Sequence, residues 1–288
     1  MLFNDPSIEK EYNRLLEKHS DIMGVGHPLI NLSDTLRAYF CLADYFTDSS
    51  SKNVETMLVG IRSIDLLYSA LTRQTVSFDG KVKYKNPIDI CSTLFFGMTK
   101  NHSFSDGNKR TALLILLYQL DLYGYLPNAS VKEFEQLVVA VAANTLDEKY
   151  RKIWKKYDSQ DDVEVKTIAH FLRKHTKRKD HSYHLKITVR DMTNALEHYG
   201  VMTQCENGKI RYERTIPAGL FKRHEQLHYS MPFGGWTRCV GAQTARTILQ
   251  TLKLYDQFSN YQSFIDGNEL FYSLIEDFEG PLRRLKDK

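Results

Sequence analysis

Residues 102–110 bring together, within one short segment, the side chains that phosphate chemistry requires. The segment reads His-Ser-Phe-Ser-Asp-Gly-Asn-Lys-Arg and leads into the apolar run Ala112–Tyr118. A loop that enters the N-terminus of a buried helix offers free backbone N–H groups and the positive end of the helix dipole, and both attract anions. Histidine is the side chain that most often acts as a general base at neutral pH, so His102 is the candidate base. Phe104 is apolar and is expected to point inward, where it would anchor the loop.

The other polar residues of the segment predict the details of an anion site. Gly107 allows the backbone to approach a phosphate closely, and Asn108 offers a side-chain amide donor. Lys109 and Arg110 add positive charge, and the guanidinium of Arg110 presents a fork of donors. Asp106 supplies a carboxylate of the kind that binds the Mg²⁺ of a nucleotide. Together these residues predict a site for nucleotide phosphates and their metal ion.

The apolar pattern around the segment predicts several helices that position the loop. Asn86 as N-cap and Pro87 in the first turn open one helix. Another is expected from about Asn108 to Leu120; it is apolar almost all round, so it should be central and buried, with Gly124 at its end. An earlier helix is predicted from spacings of three and four between Leu58, Ile61, Ile64, Leu67 and Leu71, and two later ones at Leu137–Ala143 and Val163–Lys174.

A β-hairpin is predicted between the first two of these helices. Two β-branched and aromatic stretches flank Asp79-Gly80, a dipeptide typical of two-residue hairpin turns. A lone hairpin on a helical bundle leaves two strand edges open. The residues predicted to form its strands are Thr75, Val76, Ser77, Phe78, Lys81, Val82, Lys83 and Tyr84.

After Lys179 the pattern changes to that of a smaller α+β domain. The basic run Arg173–Lys179 is interpreted as a solvated linker at the boundary, with a polyanion-binding patch as the alternative. The sequence thus predicts an N-terminal helical extension (1–27), a mainly α domain (28–178) and a C-terminal α+β domain (179–288). The elements predicted in the last are a strand at His184–Thr188, a helix at Met192–Tyr199, a hairpin of Val201–Glu206 and Lys209–Ile216 across Asn207-Gly208, and helical stretches at 243–257 and 268–278.

Composition narrows the class of protein. The net charge of +4 is too small to indicate nucleic-acid binding by itself. The longest apolar runs are too short to span a membrane, and the N-terminus lacks the basic start and apolar stretch of a signal peptide. The four cysteines show no metal-ligand spacing and are expected to be reduced. These features predict a cytoplasmic protein with no membrane partner.

The segment matches the H-x-F-x-D-G-N-x-R signature of the Fic/Doc (Fido) family. Lys109 in the variable position, followed by Thr-Ala-Leu, resembles the Doc branch of death-on-curing toxins. The order of the upstream helix, the hairpin, the Asn86-Pro87 helix, the motif and Gly124-Tyr125 is also similar, so the resemblance covers roughly residues 28–175. The alternative is a plain helix N-cap with chance polar residues, but so many fixed positions of defined chemistry rarely coincide.

The resemblance implies a Fido-type helical bundle that transfers a phosphate-containing group from ATP to a Ser, Thr or Tyr hydroxyl of a target protein. His102 would deprotonate that hydroxyl, and Asp106 would hold Mg²⁺. Gly107, Asn108 and the following backbone N–H groups would form the anion hole, and Arg110 would bind the distal phosphate. The hairpin resembles the family's flap, which binds an extended target segment by strand addition. The alternative for the hairpin is a purely structural turn.

Two departures from AMP-transferring members of the family concern the transferred group. Those members have glycine where this chain has Lys109 and a second arginine where it has Leu113. The lysine is expected to crowd the pocket that phosphates occupy in an AMP-transferring pose, and the missing arginine removes one clamp. Both changes resemble the Doc branch, so transfer of the γ-phosphoryl group is expected, with AMP transfer as the alternative.

The resemblance also implies how the protein is restrained and what it binds. Family members are often inhibited by a helix of the form [S/T]-x-x-x-E-[G/N]; Ser7–Glu11 fits the spacing, but Tyr12 follows it. A separate antitoxin or inhibitor protein is therefore the expected partner of a toxin.

A contrasting hypothesis is a degenerate Fido module whose C-terminal domain binds RNA or another partner. The intact set of His102, Asp106, Asn108 and Arg110 argues against it. The basic residues that would face the partner are Lys209, Arg211, Arg214, Lys222 and Arg223, with a solvated sheet face as the alternative, and His224 and His228 are interpreted as surface residues rather than metal ligands.

Overall fold

The structure is a computed structural model that describes Phe3 and residues 5–19, 29–47, 57–178, 187–216, 225–255 and 270–286. The chain divides into two compact units, one made of Met1–Lys179 and Leu274–Lys288 and the other of Asp180–Ser273. The first is mainly helical with a small hairpin, and the second combines helices with a three-stranded sheet. The predicted fold class, a mainly α bundle with a small hairpin followed by a smaller α+β region, is confirmed. Among the described helices, none combines the length and apolar character needed to cross a membrane.

The helices of the first unit surround one that is buried on nearly every side. That helix, α5, follows the bend at Gly107, where φ is 80°, and ends before Gly124, where φ is 74°. Its predicted start and end are both confirmed. The helices of this unit are α1 (Pro6–Lys18), α2 (Leu32–Thr47), α3 (Ile64–Thr72), α4 (Pro87–Lys100), α5 (Asn108–Leu122), α6 (Val131–Ala142), α7 (Leu146–Lys149), α8 (Arg151–Trp154) and α9 (Val163–His175).

Helix α4 begins as its sequence predicts, whereas α3 begins later. The side chain of Asn86 accepts a hydrogen bond from the Ile88 N–H at 2.9 Å and so caps α4. The prediction that Leu58 and Ile61 belong to a helix was wrong: Ser63 caps α3, and Ile61 is extended and pairs with Phe104. The side chain of Leu58 is 69% exposed. Tertiary pairing with the motif loop has overridden an apolar spacing that resembles a helix.

The predicted hairpin is present but is shorter than expected. Strands β1 (Ser77–Phe78) and β2 (Lys81–Val82) pair antiparallel across Asp79-Gly80, where both φ angles are positive. The Lys83 N–H donates to the Val76 carbonyl at 2.8 Å and closes the base. Thr75 lies in a turn of 3₁₀ helix, Arg73–Thr75, and Tyr84 lies beyond the paired residues. The expectation that these two residues belong to the strands was therefore wrong.

The basic run at the end of α9 is ordered in part and is not a simple linker. It completes α9 and continues into strand β4 (Thr176–Arg178), which pairs antiparallel with β3 (Tyr125–Pro127). The guanidinium of Arg178 lies 4.5 Å from the centre of the Tyr125 ring. The interpretation of these residues as a solvated linker was wrong, since β-pairing fixes their backbone.

Between residues 187 and 255, the described part of the second unit has the order helix, three strands, helix. Its elements are α10 (Val189–His198), β5 (Met202–Glu206), β6 (Lys209–Ile216), β7 (Glu225–Pro232) and α11 (Ala242–Thr251), and the strands form one antiparallel sheet in the order β5-β6-β7. The predicted hairpin across Asn207-Gly208 is confirmed, whereas β7 was not predicted. Of the strand predicted at His184–Thr188, residues 184–186 lie outside the described residues, as do Lys222, Arg223 and His224.

The last part of the chain packs into the first unit rather than the second. Helices α12 (Leu270–Asp277) and α13 (Glu279–Arg284) end the chain, and from Leu274 onward it is grouped with the first unit. Phe278 packs edge-on against Phe134 of α6 at 6.1 Å between ring centres. Leu282 and Leu285 are fully buried. The sequence predicted one C-terminal domain over residues 179–288, whereas in the structure the second compact unit ends at Ser273.

Candidate active site

An extended segment, Leu58–Ser63, holds the backbone of the motif loop. We call this segment the brace. The N–H groups of Arg62 and Ser63 donate to the Ser103 carbonyl at 2.8 and 3.1 Å, and the Ser105 N–H donates to the Gly60 carbonyl at 2.9 Å. These bonds fix the loop between the candidate base and the candidate metal ligand.

Phe104 and Asn108 hold the centre of the loop. Phe104 is buried and stacks on Tyr39 of α2, with ring centres 4.1 Å apart and planes at 13°. The side-chain amide of Asn108 accepts from the Phe104 N–H and donates to the Phe104 carbonyl, both at 2.9 Å. Asn108, expected to donate to a phosphate, thus binds the loop backbone and locks the loop onto the first turn of α5.

Tyr39 links the brace to the motif, and sequence reasoning missed it. Its hydroxyl accepts from the Gly60 N–H at 2.9 Å and lies 3.2 and 3.3 Å from the carbonyls of Gly60 and Leu58. Burial raises the pKa of Tyr39 to about 12, so the hydroxyl keeps its proton and can donate. No local sequence signal marks this role, because its partners are distant in the chain.

The N-terminus of α5 carries the candidate anion-binding residues. A Cβ atom at Gly107 would lie 2.5 Å from the Cε of Met57, and its φ of 80° also favours glycine. The Thr111 N–H and hydroxyl both donate to the Gly107 carbonyl, at 2.8 and 2.9 Å. Met57 therefore fills the space that a side chain at residue 107 would need, and only glycine fits at the start of the helix.

Asp106 and Arg110 form an ion pair at this helix start. A carboxylate oxygen of Asp106 accepts from the Gly107 N–H at 2.6 Å and lies 3.8 Å from a guanidinium nitrogen of Arg110. Arg110 is fully buried, and its guanidinium lies 5.1 Å from the centre of the Phe46 ring. A buried arginine beside a helix N-terminus is an arrangement that favours an anion.

The ammonium of Lys109 is directed toward the C-terminal part of the chain. It donates to the Lys286 carbonyl at 3.2 Å. In this conformation the lysine is engaged with main chain, whereas the sequence predicted that it crowds the phosphate pocket.

His102 stands where α4 ends and the loop begins. Its φ of 48° lies in the left-handed region, which residues other than glycine adopt infrequently. Residues held in this backbone conformation are found more often at functional sites than elsewhere. The preceding residue, Asn101, ends α4, and its amide donates to the Leu66 carbonyl at 2.8 Å. The His102 side chain is exposed and accessible to a substrate.

The hairpin exposes apolar side chains above a fixed base. Phe78 is 85% exposed, and Val76 and Val82 are also exposed. Lys83 forms an ion pair with Asp162 at the start of α9, and the Tyr84 hydroxyl donates to the same carboxylate at 2.9 Å. Burial opposes ionisation of Asp162, but these two partners outweigh it and lower its pKa. Of the remaining predicted strand residues, Ser77 and Lys81 are exposed, and the Thr75 hydroxyl donates to the Thr72 carbonyl.

A buried glutamine ties the hairpin base to the central helix. The side-chain oxygen of Gln74 accepts from the Ile30 N–H at 2.9 Å and from the Gln119 amide at 2.7 Å. Its amide nitrogen donates to the carbonyls of Ile30 and Leu71. Gln74 is therefore a core residue, and it was not predicted as one.

The donors at the site suit a magnesium ion held with phosphates. Within the described part of the chain, no cluster of three or more histidine, cysteine or acidic residues is placed to bind a metal. Asp106 is the carboxylate beside the anion site. Mg²⁺ is commonly bound by one or two carboxylates together with substrate phosphates, so the residues present fit such an ion.

The comparison with protein families agrees with this geometry. Residues 30–120 match the model of the Fic/DOC family, a span that includes the brace, the hairpin, the motif and most of α5. The match supports an enzyme of the Fido kind that acts with a nucleotide. Neither the second unit nor the C-terminal helices lie within it. No curated protein and no solved structure matches the chain.

Proposed function

We propose that the first unit is a Fic/Doc-type transferase that moves a phosphate-containing group from ATP to a Ser, Thr or Tyr hydroxyl of a target protein. The observation that carries the proposal is the start of α5. There, the N-terminus of the helix, the buried Arg110 and the carboxylate of Asp106 lie together, with His102 at the other end of a braced loop.

The residues have separate roles in this reaction. His102 accepts the proton of the target hydroxyl as its oxygen attacks phosphorus. The N–H groups that follow Gly107 at the start of α5 bind the phosphate oxygens, and Arg110 binds a second phosphate. Asp106 would hold Mg²⁺, which would neutralise charge on the phosphates. Asn108 keeps the loop in position through the Phe104 backbone.

The γ-phosphoryl group is the one that we propose is transferred, with AMP transfer as the alternative. The new bond joins the target oxygen to the γ-phosphorus, the bond to the β–γ bridging oxygen breaks, and ADP leaves. Leu113 is buried and apolar, so α5 supplies one motif arginine where AMP-transferring relatives have two. Phosphoryl transfer requires mainly positioning and charge neutralisation, which this set provides.

The proposal includes a toxin role with a separate inhibitor protein in the cytoplasm. The inhibitory-helix candidate Ser7–Glu11 lies in α1, where Glu11 pairs with Arg14 of the same helix at 2.6 Å. Tyr12 follows Glu11 where the inhibitory pattern has Gly or Asn, so restraint is assigned to a partner.

Nucleic-acid binding by the second unit is not part of the proposal. On its sheet, Arg211 pairs with Glu213 at 2.6 Å, and the Arg214 guanidinium donates to the Leu252 carbonyl at 2.8 Å. Both residues lie in strand β6, whereas Arg110 lies in the first turn of α5, whose N-terminus favours an anion.

The deciding experiment is incubation with cell lysate and ATP labelled separately at the α and γ positions. Protein is expected to gain the γ label and not the α label. His102→Asn is the control, because asparagine tolerates the left-handed backbone but is not a base. Label of either kind that persists at the wild-type level in this variant would contradict the proposed mechanism.

Lys109 gives the experiment a second arm. Lys109→Gly is expected to lower γ-label transfer, and adding Leu113→Arg is expected to raise α-label transfer above that of the single variant. Ready incorporation of α label by the wild type would assign the protein to the AMP-transferring branch instead, with Lys109 remaining bound to the Lys286 carbonyl during the reaction.

A further inference from the structure

The ring of Phe46 in α2 is in contact with both the motif arginine and an arginine of the C-terminal helix α13. The guanidinium carbon of Arg110 and that of Arg283 in α13 each lie 5.1 Å from the centre of this ring. The two guanidinium groups are therefore no more than about 10 Å apart, within the range over which a triphosphate and its bound cation act.

Several contacts hold α13 in this place. Leu282 and Leu285 are fully buried. The guanidinium of Arg284 forms a two-pronged ion pair with Glu135 of α6, at 2.7 and 3.0 Å. The Lys286 carbonyl accepts from Lys109, the second residue of α5, so the segment reaches the helix turn that carries the anion site.

The guanidinium groups beside Phe46 are each paired with a carboxylate. Arg110 pairs with Asp106 at 3.8 Å. Arg283 is held by Glu279 of its own helix at 2.7 Å, and its side chain is 22% exposed, so it is partly accessible to a ligand. A phosphate group carries more negative charge than a carboxylate, so it competes with these partners for the guanidinium groups.

We infer that Arg283 is a second phosphate-binding residue of the site, supplied by the C-terminal helix. The inference rests on the proposed function, since it assigns Arg283 to the nucleotide that Arg110 binds. Helix α5 carries the apolar Leu113 and offers a single motif arginine, and the neighbouring helix provides the other guanidinium. Glu279 holds Arg283 in the free protein and exchanges it for the more highly charged phosphates.

The test compares neighbouring arginines of one helix. Binding of ATP with Mg²⁺ to the full chain is measured by calorimetry for Arg283→Ala and for Arg284→Ala. Each variant loses one ion pair on α13, but only the first loses a guanidinium beside Phe46. Arg283→Ala is expected to weaken binding about 10-fold or more, and Arg284→Ala to change it less than about 2-fold. Melting temperatures of both variants check that α13 stays packed.

A third variant separates this inference from the proposed function. Arg110→Lys keeps the charge but loses the two-pronged geometry, and it is expected to weaken ATP binding as well. If Arg110→Lys weakens binding while Arg283→Ala behaves like Arg284→Ala, the inference is wrong and the proposed function stands. If Arg284→Ala weakens binding as much as Arg283→Ala, α13 is a scaffold and the inference is also wrong. Unchanged affinity in all three variants would overturn both.

Discussion

Removing the hydroxyl of Tyr39 tests whether the brace positions the chemistry. In Tyr39→Phe the ring still stacks on Phe104, but the Gly60 N–H and the carbonyls beside it lose their partner. One accepted and one donated hydrogen bond are lost, each contributing about 1 kcal/mol, so the first unit should lose about 2 kcal/mol of stability. For a unit of this size, that corresponds to a melting temperature lower by about 4–8 °C.

The kinetic effect of Tyr39→Phe should be specific. The brace pins residues 103–105, so its loosening moves His102 relative to the anion site, which α5 forms independently. The kcat for protein modification should fall about 10-fold or more, while KM for ATP changes less than about 2-fold. The assay is initial-rate measurement of label transfer, with calorimetric ATP binding and thermal melting on the same preparations.

A matched control exists in the second unit. The hydroxyl of Tyr212 is also buried and lies 3.0 Å from that of Thr193. Tyr212→Phe removes a comparable hydrogen bond, and it should leave kcat unchanged. If Tyr39→Phe lowers kcat no more than Tyr212→Phe does, or if it weakens ATP binding while kcat holds, the brace does not position the base.

Three further outcomes are expected. His102→Asn should lower the transfer rate by about 10²–10⁴ while the melting temperature stays near the wild-type value; a fully active variant would exclude His102 as the base. Asp106→Ala should abolish the Mg²⁺ dependence of ATP binding, and Arg110→Ala should weaken ATP binding. Calorimetry measures both effects, and an unchanged affinity for ATP in both variants would place the anion site elsewhere. Replacing Ser77–Val82 with a short Gly-Ser link should preserve ATP binding and remove transfer to protein, and target modification at the wild-type rate would make the hairpin a structural turn.

Local signals predicted much of the fold. The start of α4 and the end of α5 were predictable because Asn86 and Gly124 act on residues next to them in the chain. Ile61 was misassigned because its apolar spacing is the same whether it belongs to a helix or pairs with Phe104. Strand β7 was missed because residues 217–224, which connect it to β6, are more than the two-residue turn that identifies a hairpin from sequence.

The candidate site was also predictable only in part. The residue types of the motif were readable from sequence, and they predicted an anion site. The orientations of two of them were not. Asn108 binds the backbone of Phe104, four residues earlier in the same loop, and a polar residue at a helix start does not show by itself whether it binds the loop or a ligand. Lys109 binds the Lys286 carbonyl, and this contact depends on where the C-terminal helices pack. The contacts of Tyr39 and the proposed role of Arg283 depend on tertiary packing as well.

The return of residues 274–288 to the first unit has a consequence for the order of synthesis. A ribosome makes the whole second unit before it makes the helices that bury Leu282 and Leu285 against the first. Domains generally fold as they emerge, N-terminal part first, but here the nascent first unit lacks its last helices until translation of residue 286 is complete. A polypeptide that stops anywhere in the second unit therefore carries the entire His102–Arg110 motif without Arg283. If Arg283 binds the nucleotide as proposed, such a polypeptide is expected to bind ATP more weakly than the chain that contains α13.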